Sequence, residues 1–293
     1  MKTKILLTGS TGFLGSHLLE SFISQGFEVY ILKRSTSDTW RIDHLLEVVK
    51  TYDIDKNSLK SIFKEVEPDL IVHTACSYGR NNEKFIDIIK SNLLFGLDLL
   101  EESIKNKVKT FINTDSLLPR NINDYSLSKA QFTDWLKNRS SQIQVINLKI
   151  EHIYGVKDDN KKFINWLINE MLNREGSINL TSGIQKRDFV YISDVIYAYK
   201  LIIQKREMLY NWNEFDIGTS IFTEVKEFVL RLAMSLEKDH NKVIIPRLNF
   251  GAIPYRMEEI MNPSLDNTKL IELGWQYKVG IKEGVSKILK EYK

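Results

Sequence analysis

The chain has a single cysteine, Cys76. No internal disulfide framework can form, and this fits a reducing, cytoplasmic setting. Its five histidines are scattered, and no Cys/His spacing of the zinc type occurs, so no metal site is expected. Only five prolines are present and no stretch is low in complexity, which argues against long disorder. No apolar run approaches the ~20 residues of a membrane span. Near the start, the run Ile5-Leu6-Leu7 stops at Thr8, too short for a signal-peptide core. An excess of one charge is also missing. Lys+Arg 41 against Asp+Glu 38 leaves +3, evenly spread, which excludes an electrostatic binder of nucleic acid or membrane surfaces. What remains is 43% hydrophobic and 27% charged over 293 residues, about two globular domains at roughly 100–200 residues each.

Ile5-Leu6-Leu7 reads as a short buried strand that stops at a glycine cluster. Leu14, Leu18, Leu19, Phe22 and Ile23 then recur at helical spacing up to Gly26. Val29–Leu32 is a second strand, which completes a βαβ unit in about 30 residues. The alternation continues with a strand over Leu45–Val49, a helix over Leu59–Val66 ended by Pro68, and a strand at Leu70–Val72. A long amphipathic helix follows over Asn92–Ile104, then a strand from Phe111, a helix over Tyr125–Lys137 and a strand over Val145–Ile150. Strands separated by helices predict an α/β fold with a Rossmann-type, doubly wound parallel sheet.

Beyond residue 150 the rhythm loosens. Phe163–Leu172 and Val225–Leu236 read as helices and Val243–Ile245 as a strand. No Gly/Ser linker separates the halves. The expectation is a dinucleotide-binding domain over 1–150, joined by part of 188–220, and a smaller substrate lobe over 151–293 interleaved with it. Trp135, Trp166 and Trp212 fall at apolar positions and are expected in the core.

Thr8-Gly9-Ser10-Thr11-Gly12-Phe13-Leu14-Gly15 lies where a strand meets a helix. Glycines let the backbone turn tightly and approach a pyrophosphate, and the helix N-terminus offers N–H groups to its oxygens. In that context Gly9, Thr11, Gly12, Phe13, Leu14 and Gly15 are candidates for holding a dinucleotide. An NAD site places an acid about 20 residues on, against the ribose 2′-OH. Here the second strand ends Leu32-Lys33-Arg34-Ser35, and no carboxylate comes before Asp38. Lys33 and Arg34 attract a 2′-phosphate, so NADP(H) is favoured over NAD(H).

Tyr125-Ser126-Leu127-Ser128-Lys129 puts a phenol and an ammonium on one helix face. A free tyrosine, with a pKa of about 10, is a poor acid–base group at neutral pH. The nearby lysine is expected to lower that value, so that the hydroxyl exchanges a proton with a carbonyl/alcohol pair.

These features together resemble the extended short-chain dehydrogenases/reductases, the sugar-nucleotide epimerase/dehydratase family. The likeness spans nearly the whole chain. It takes in the three glycines, Asp53-Ile54 as an adenine-contacting pair, His73-Thr74-Ala75 with Cys76, and Asn92 opening a helix. It continues through Thr114 before the Tyr/Lys pair, Tyr154-Gly155, and Arg187-Asp188-Phe189-Val190 with Asp194. The resemblance implies that Asp53, Ile54, Thr74, Ala75, Cys76, Asn92 and Lys129 face the cofactor, with Thr114, Tyr125 and Lys129 catalytic. It also implies a homodimer built on the helices near Asn92 and Tyr125. Finer features are similar to the branch of CDP-abequose and CDP-paratose synthases. These are Ala75–Gly79, Asn113–Ser116, Glu151–Gly155, Arg187–Phe189 and Phe250–Ile253 with Arg256. That branch reduces the 4-keto group of a CDP-linked deoxy sugar in O-antigen-type glycan assembly.

The reaction implied is NADPH-dependent reduction of the C4 keto group of a nucleotide-linked 4-keto-6-deoxy or 3,6-dideoxy sugar. Ser77, Tyr78, Asp115, Ser116, His152, Arg187 and Arg256 are candidates for the substrate. A 4,6-dehydratase of the family carries Thr-Asp-Glu, and Ser116 stands here in place of the glutamate. The Thr114 segment also continues Leu117-Leu118-Pro119 where the family has Val-Tyr-Gly, and His152 replaces a common asparagine. Two alternatives are a 4-epimerase with tightly bound NAD and, remotely, a non-catalytic NADPH-sensing protein. His73 is expected to be a packed strand histidine, and Asp188 structural.

Overall fold

The computed structural model describes residues 2–80 and 82–292, and the chain divides into two compact units. One takes the chain up to Ile150 together with Lys200–Asp216. The other takes Glu151–Tyr199 and the residues from Ile217 onward.

The first unit is an α/β structure on a seven-stranded sheet. Its opening strands are β1 (Lys4–Thr8), β2 (Glu28–Lys33), β3 (Lys50–Asp53), β4 (Leu70–His73), β5 (Thr110–Ser116) and β6 (Gln144–Ile150). Their order is β3-β2-β1-β4-β5-β6, all pairs parallel, with Trp212–Ile217 beyond β6. Leu6, Ile71, Phe111 and Val145 lie in one apolar core with Phe63, Leu99 and Phe132 from the helices. Strands this apolar on both faces need helices on both sides of the sheet, hence the doubly wound form. The strand order reverses between β1 and β4, so the carboxyl ends of β1, β4 and β5 border the crevice where such folds take ligands. The register makes this a polar row: Thr8 is opposite His73, His73 opposite Asn113, and Asn113 opposite Asn147.

The helices are α1 (Phe13–Ser24), α2 (Leu59–Val66), α3 (Phe85–Ile89), α4 (Phe95–Lys105) and α5 (Asp124–Arg139). Three sequence expectations need correction. No strand covers Leu45–Val49. A 3₁₀ turn spans Asp43–Leu45 and the strand is β3, where Tyr52 is buried while Lys50 is exposed. This edge strand is short and lacks the continuous apolar run by which a central strand is read. The helix does not begin at Asn92. It begins at Phe85, and a π-turn over Lys90–Leu94 joins α3 to α4 and buries Asn92. Val243–Ile245 is not a strand either. The amides of Ile244 and Ile245 donate to Glu237 at 2.6 and 2.8 Å, and Pro246 lies in a 3₁₀ turn over Ile245–Arg247. A proline has no N–H for a ladder.

The second unit holds a three-stranded sheet of Phe222–Glu224, Lys186–Tyr191 and His152–Tyr154, and a two-stranded one of Leu248–Phe250 and Ile178–Leu180. Its core is aromatic. Phe189 stacks on Phe228 with centroids 4.1 Å apart, and Tyr154 packs edge-on against both. Trp275 is buried and donates to the Asp194 carbonyl. By contrast Trp135 is 45% and Trp166 36% exposed, so these two are not core residues, while Trp212 is half-buried and packs against the core of the first unit. Trp135 and Trp166 lie on helices, on faces that are not turned inward. No helix among the described residues is long and apolar enough to cross a membrane.

Candidate active site

The glycine turn is built by contact. Gly9 adopts φ +70°, and a Cβ there would stand 2.6 Å from the Ala75 amide nitrogen. A Cβ on Gly15 would stand 2.1 Å from the Gly9 carbonyl oxygen. Gly12 donates to that same carbonyl at 3.0 Å and forms the N-cap of α1 without a capping side chain. Phe13, Leu14 and Gly15 thus carry first-turn N–H groups that suit phosphate oxygens. The buried Ser10 Oγ has no hydrogen-bond partner. This cradle fits a dinucleotide pyrophosphate.

Thr8 and Thr74 form its floor. Thr74 Oγ1 donates to the Thr8 carbonyl at 2.7 Å, and the Ala75 amide donates to Thr8 Oγ1 at 3.2 Å. His73 Nδ1 meets the same Thr8 hydroxyl at 2.8 Å. Its ring lies among Phe95, Phe111 and Phe132. Burial first, and the Lys129 charge second, push its pKa down to about 3. His73 is therefore a neutral packing residue, as the sequence suggests.

At the end of β2, Lys33 is half-buried and Arg34 exposed. Asp53 Oδ2 accepts from Ser35 Oγ at 2.6 Å and Asp55 Oδ2 from the Ser35 amide at 2.8 Å. The Ser35 bond holds the Asp53 carboxyl below its ordinary value. The Ile54 amide donates to the Lys33 carbonyl at 2.9 Å, which ties the ends of β2 and β3 together. One cation here escaped sequence reasoning. Arg41 lies over the Trp40 ring and donates to the Thr11 carbonyl of the glycine turn at 3.3 Å. No spacing rule marks a loop arginine, so only the folded chain reveals it.

Helix α5 starts with a capping box. Asn123 Oδ1 accepts from the Ser126 amide at 2.9 Å, and Ser126 Oγ accepts from the Asn123 amide at 3.1 Å. Tyr125 therefore sits in the first turn, with Lys129 one turn on. The buried Lys129 ammonium donates to the Thr114 carbonyl. This corrects an expectation: the net shift of the phenol in the folded chain is upward, not downward. Burial pushes the Tyr125 hydroxyl well above its ordinary value, and the Cys76 and Asp115 charges add to this. A hydrogen bond from Ser116 and the Arg80 charge oppose the shift. Tyr125 is thus held in its protonated form.

The remaining candidates have defined partners. Asn92 Oδ1 accepts from the Ser77 amide at 2.7 Å, and its Nδ2 donates to the Ser77 carbonyl at 2.9 Å and to Ser128 Oγ at 3.0 Å. It clamps the loop after β4 to α5. Asp115 turns into the sheet, accepting from Thr133 Oγ1 at 2.7 Å and Asn147 Nδ2 at 3.1 Å. Ser116 Oγ accepts from the Leu118 amide at 3.1 Å. Tyr78 packs against Tyr125, and the Cys76 thiol beside it, with burial, holds its hydroxyl well above the ordinary value.

In the second unit, His152 is exposed and meets Glu151 at 3.1 Å. Arg187 is paired with Glu259 and donates to the Ile260 carbonyl at 2.6 Å. Arg256 is exposed. Asp188 accepts from Thr219 Oγ1 at 2.7 Å and the Ser220 amide at 2.6 Å, which pins the turn over 218–221. Among the described residues no group of His, Cys, Asp and Glu stands where it could hold a metal ion.

Comparison with known proteins agrees with this geometry. Residues 5–218 match the model of a family described as the NAD dependent epimerase/dehydratase family. A CDP-abequose synthase of Salmonella muenchen is 34% identical, over 98% of this chain and 97% of that protein. The solved UDP-glucose 4-epimerase of Thermotoga maritima, with UDP-glucose, superposes with TM-score 0.83 at 24% identity, covering 99% of this chain and 98% of that one. The UDP-glucose 4-epimerase of Thermus thermophilus, in complex with NAD, gives TM-score 0.81 at 23% identity, with 99% of each chain covered.

Proposed function

The chain belongs to the NAD dependent epimerase/dehydratase family, and on that premise we propose that it reduces the C4 keto group of a nucleotide-linked deoxy sugar with NADPH. The nucleotide is CDP and the sugar a 4-keto-6-deoxy or 3,6-dideoxy hexose, of the kind used in surface glycans. The observation that carries this reading is the cationic pair Lys33-Arg34 at the end of β2, with no acid next to it in sequence before Asp38, joined by Arg41 at the glycine turn. Net reduction calls for an NADPH that dissociates after each turnover, whereas an epimerase keeps its NAD through the cycle. Similarity to the CDP-abequose synthase supports the choice of nucleotide. Ser116 in the glutamate position speaks against dehydration.

When bound, the nicotinamide nucleotide supplies the hydride. The chain supplies a proton and a fixed geometry. Tyr125 gives its phenolic proton to the oxygen at C4; a phenol kept protonated by burial suits an acid better than a base. Lys129 holds the Thr114 carbonyl, and so the strand end from which the Thr114 hydroxyl bonds the reacting oxygen. Homodimer formation belongs to the same proposal. Phe85, Leu94 and Trp135 are exposed on the helices concerned, and sedimentation velocity tests it.

One observation favours a second reading, a 4-epimerase with bound NAD. The carboxylates of Asp53 and Asp55 stand against Ser35, close to where a 2′-phosphate would sit. One assay separates the readings. Protein, NADPH and a CDP-4-keto-6-deoxyhexose should show NADPH oxidation equal to sugar consumed. NAD that stays with the protein through gel filtration, with interconversion of UDP-glucose and UDP-galactose, would establish the epimerase. NADPH binding with no turnover of any nucleotide sugar would leave a non-catalytic sensor.

A further inference from the structure

The loop after β4 carries two residues whose arrangement goes beyond cofactor binding. Gly79 turns it at φ +68°, and a Cβ there would stand 2.7 Å from Ile88 Cδ1. Asn92 holds both backbone groups of Ser77 and, through Ser128, the turn of α5 that carries Tyr125. Ser128 Oγ donates to the Tyr125 carbonyl at 2.9 Å. Ser77 Oγ donates to Glu83 at 3.1 Å, which closes the loop on its other side. These ties leave Tyr78 packed at a tilt against Tyr125, with ring centroids 5.0 Å apart and planes 32° apart. The Arg80 guanidinium lies over the Tyr78 ring, 4.9 Å from its centroid. Tyr78 is 44% exposed and Arg80 is exposed, whereas Tyr125 is part-buried. Exposure thus falls from Arg80 and Tyr78 to Tyr125.

We propose that Tyr78 and Arg80 are positioning residues, a cover that fixes the ring of Tyr125 and keeps water from it. An aromatic pair at this centroid distance, with a guanidinium over one ring, is a favourable contact. The groups around Tyr125 come from three elements. Cys76, Tyr78 and Arg80 lie on the loop after β4, Asp115 and Ser116 on β5, and Lys129 on α5. Removing the Tyr78 ring hydrates the phenol, and burial is the largest cause of its raised value, so the net effect is downward. Arg80 acts in the opposite sense. The inference deepens the proposed reduction, and rests on it only for the kinetic readout.

The test uses the full chain with tyrosines ¹³C-labelled at Cζ, the Tyr125 signal being identified by its loss in Tyr125→Phe. In the wild type this signal should not titrate up to the alkaline limit of stability. Tyr78→Ala should bring its titration down into the measurable range, while Tyr78→Phe, which keeps the ring, should leave it near the wild type. This measurement needs no substrate. With a keto-sugar nucleotide, Tyr78→Ala should lower kcat about five- to tenfold, as expected for loss of one packed ring, with the KM for NADPH kept. Tyr78→Phe should recover most of that loss. An unmoved Tyr125 titration in Tyr78→Ala overturns the cover, whatever reaction the enzyme performs. Equal losses in Tyr78→Phe and Tyr78→Ala, with a raised KM for the sugar, overturn it in favour of direct substrate contact. Absence of keto-sugar turnover in the wild type counts against the reduction alone, since the titration then still decides the cover.

Discussion

The two units use the same kinds of residue for different ends. In the first, the polar side chains that stand out in the sequence surround a glycine turn and a phenol. In the second, Arg187, Asp188 and Asp194 are as prominent but are bonded within their own unit. Asp188 holds Thr219 and Ser220, Asp194 holds the Lys278 and Val279 amides, and Arg187 holds Glu259 and the Ile260 carbonyl. A buried carboxylate needs donors, and a turn that offers amides supplies them. A signature can therefore mark architecture in one region and chemistry in another.

The sharpest test of that contrast is Tyr125→Phe. It should cut kcat by about 10²- to 10⁴-fold, as loss of an acid–base group does, with NADPH affinity and melting temperature kept. A falling melting temperature with intact kcat would put Tyr125 among the architectural residues. Gly15→Ala comes next. Its Cβ meets the Gly9 carbonyl, and relief by a backbone shift costs about 2–3 kcal/mol, read in chemical denaturation together with weaker NADPH binding. Lys33→Ala with Arg34→Ala should erode the preference for NADPH over NADH by about tenfold, as for a lost charged hydrogen bond, measured by titration calorimetry. An unchanged ratio would move the 2′-phosphate elsewhere.

Asp188→Asn should act in the other register. It should lose about 1–2 kcal/mol of stability, while kcat/KM per folded molecule stays the same. The smallest effect is the sign of the acid response. His73 is held at about 3 when folded and about 6.5 when unfolded, so below about 6.5 the unfolded chain binds the extra proton and stability is lost as pH falls. That loss is about 1 kcal/mol between pH 6.5 and 5.5, and His73→Phe should remove it. Burial holds the Asp188 and Asp194 carboxyls above their ordinary value despite their donors. Here the folded chain binds the extra proton, so acidification from the raised value toward about 3.9 adds stability. Denaturation profiles of Asp188→Asn and His73→Phe should thus diverge from the wild type with opposite slopes.

Much of the first unit was legible because buried parallel strands leave unbroken apolar runs and their helices leave a period of 3.6. The glycine turn and the Tyr/Lys spacing were legible for the same reason: both are local. Leu45–Val49 and Val243–Ile245 misled because an apolar run does not say whether a ladder partner exists. Trp135 and Trp166 misled because an apolar residue on a helix does not say what lies against it. Asn92 was singled out, but its work as a clamp depends on Ser77 and Ser128, which the chain brings to it from both sides.

The sequence alone determined the order of strands and helices, the cradle for a dinucleotide and the presence of a phenol one turn from a lysine. These depend on neighbours a few residues away. Only the tertiary structure decided that the lysine holds Thr114, that burial keeps the phenol protonated, and that Tyr78 packs against it with Arg80 over the Tyr78 ring. Proton affinity and packing depend on what surrounds a group in space, and residues far apart along the chain provide those surroundings.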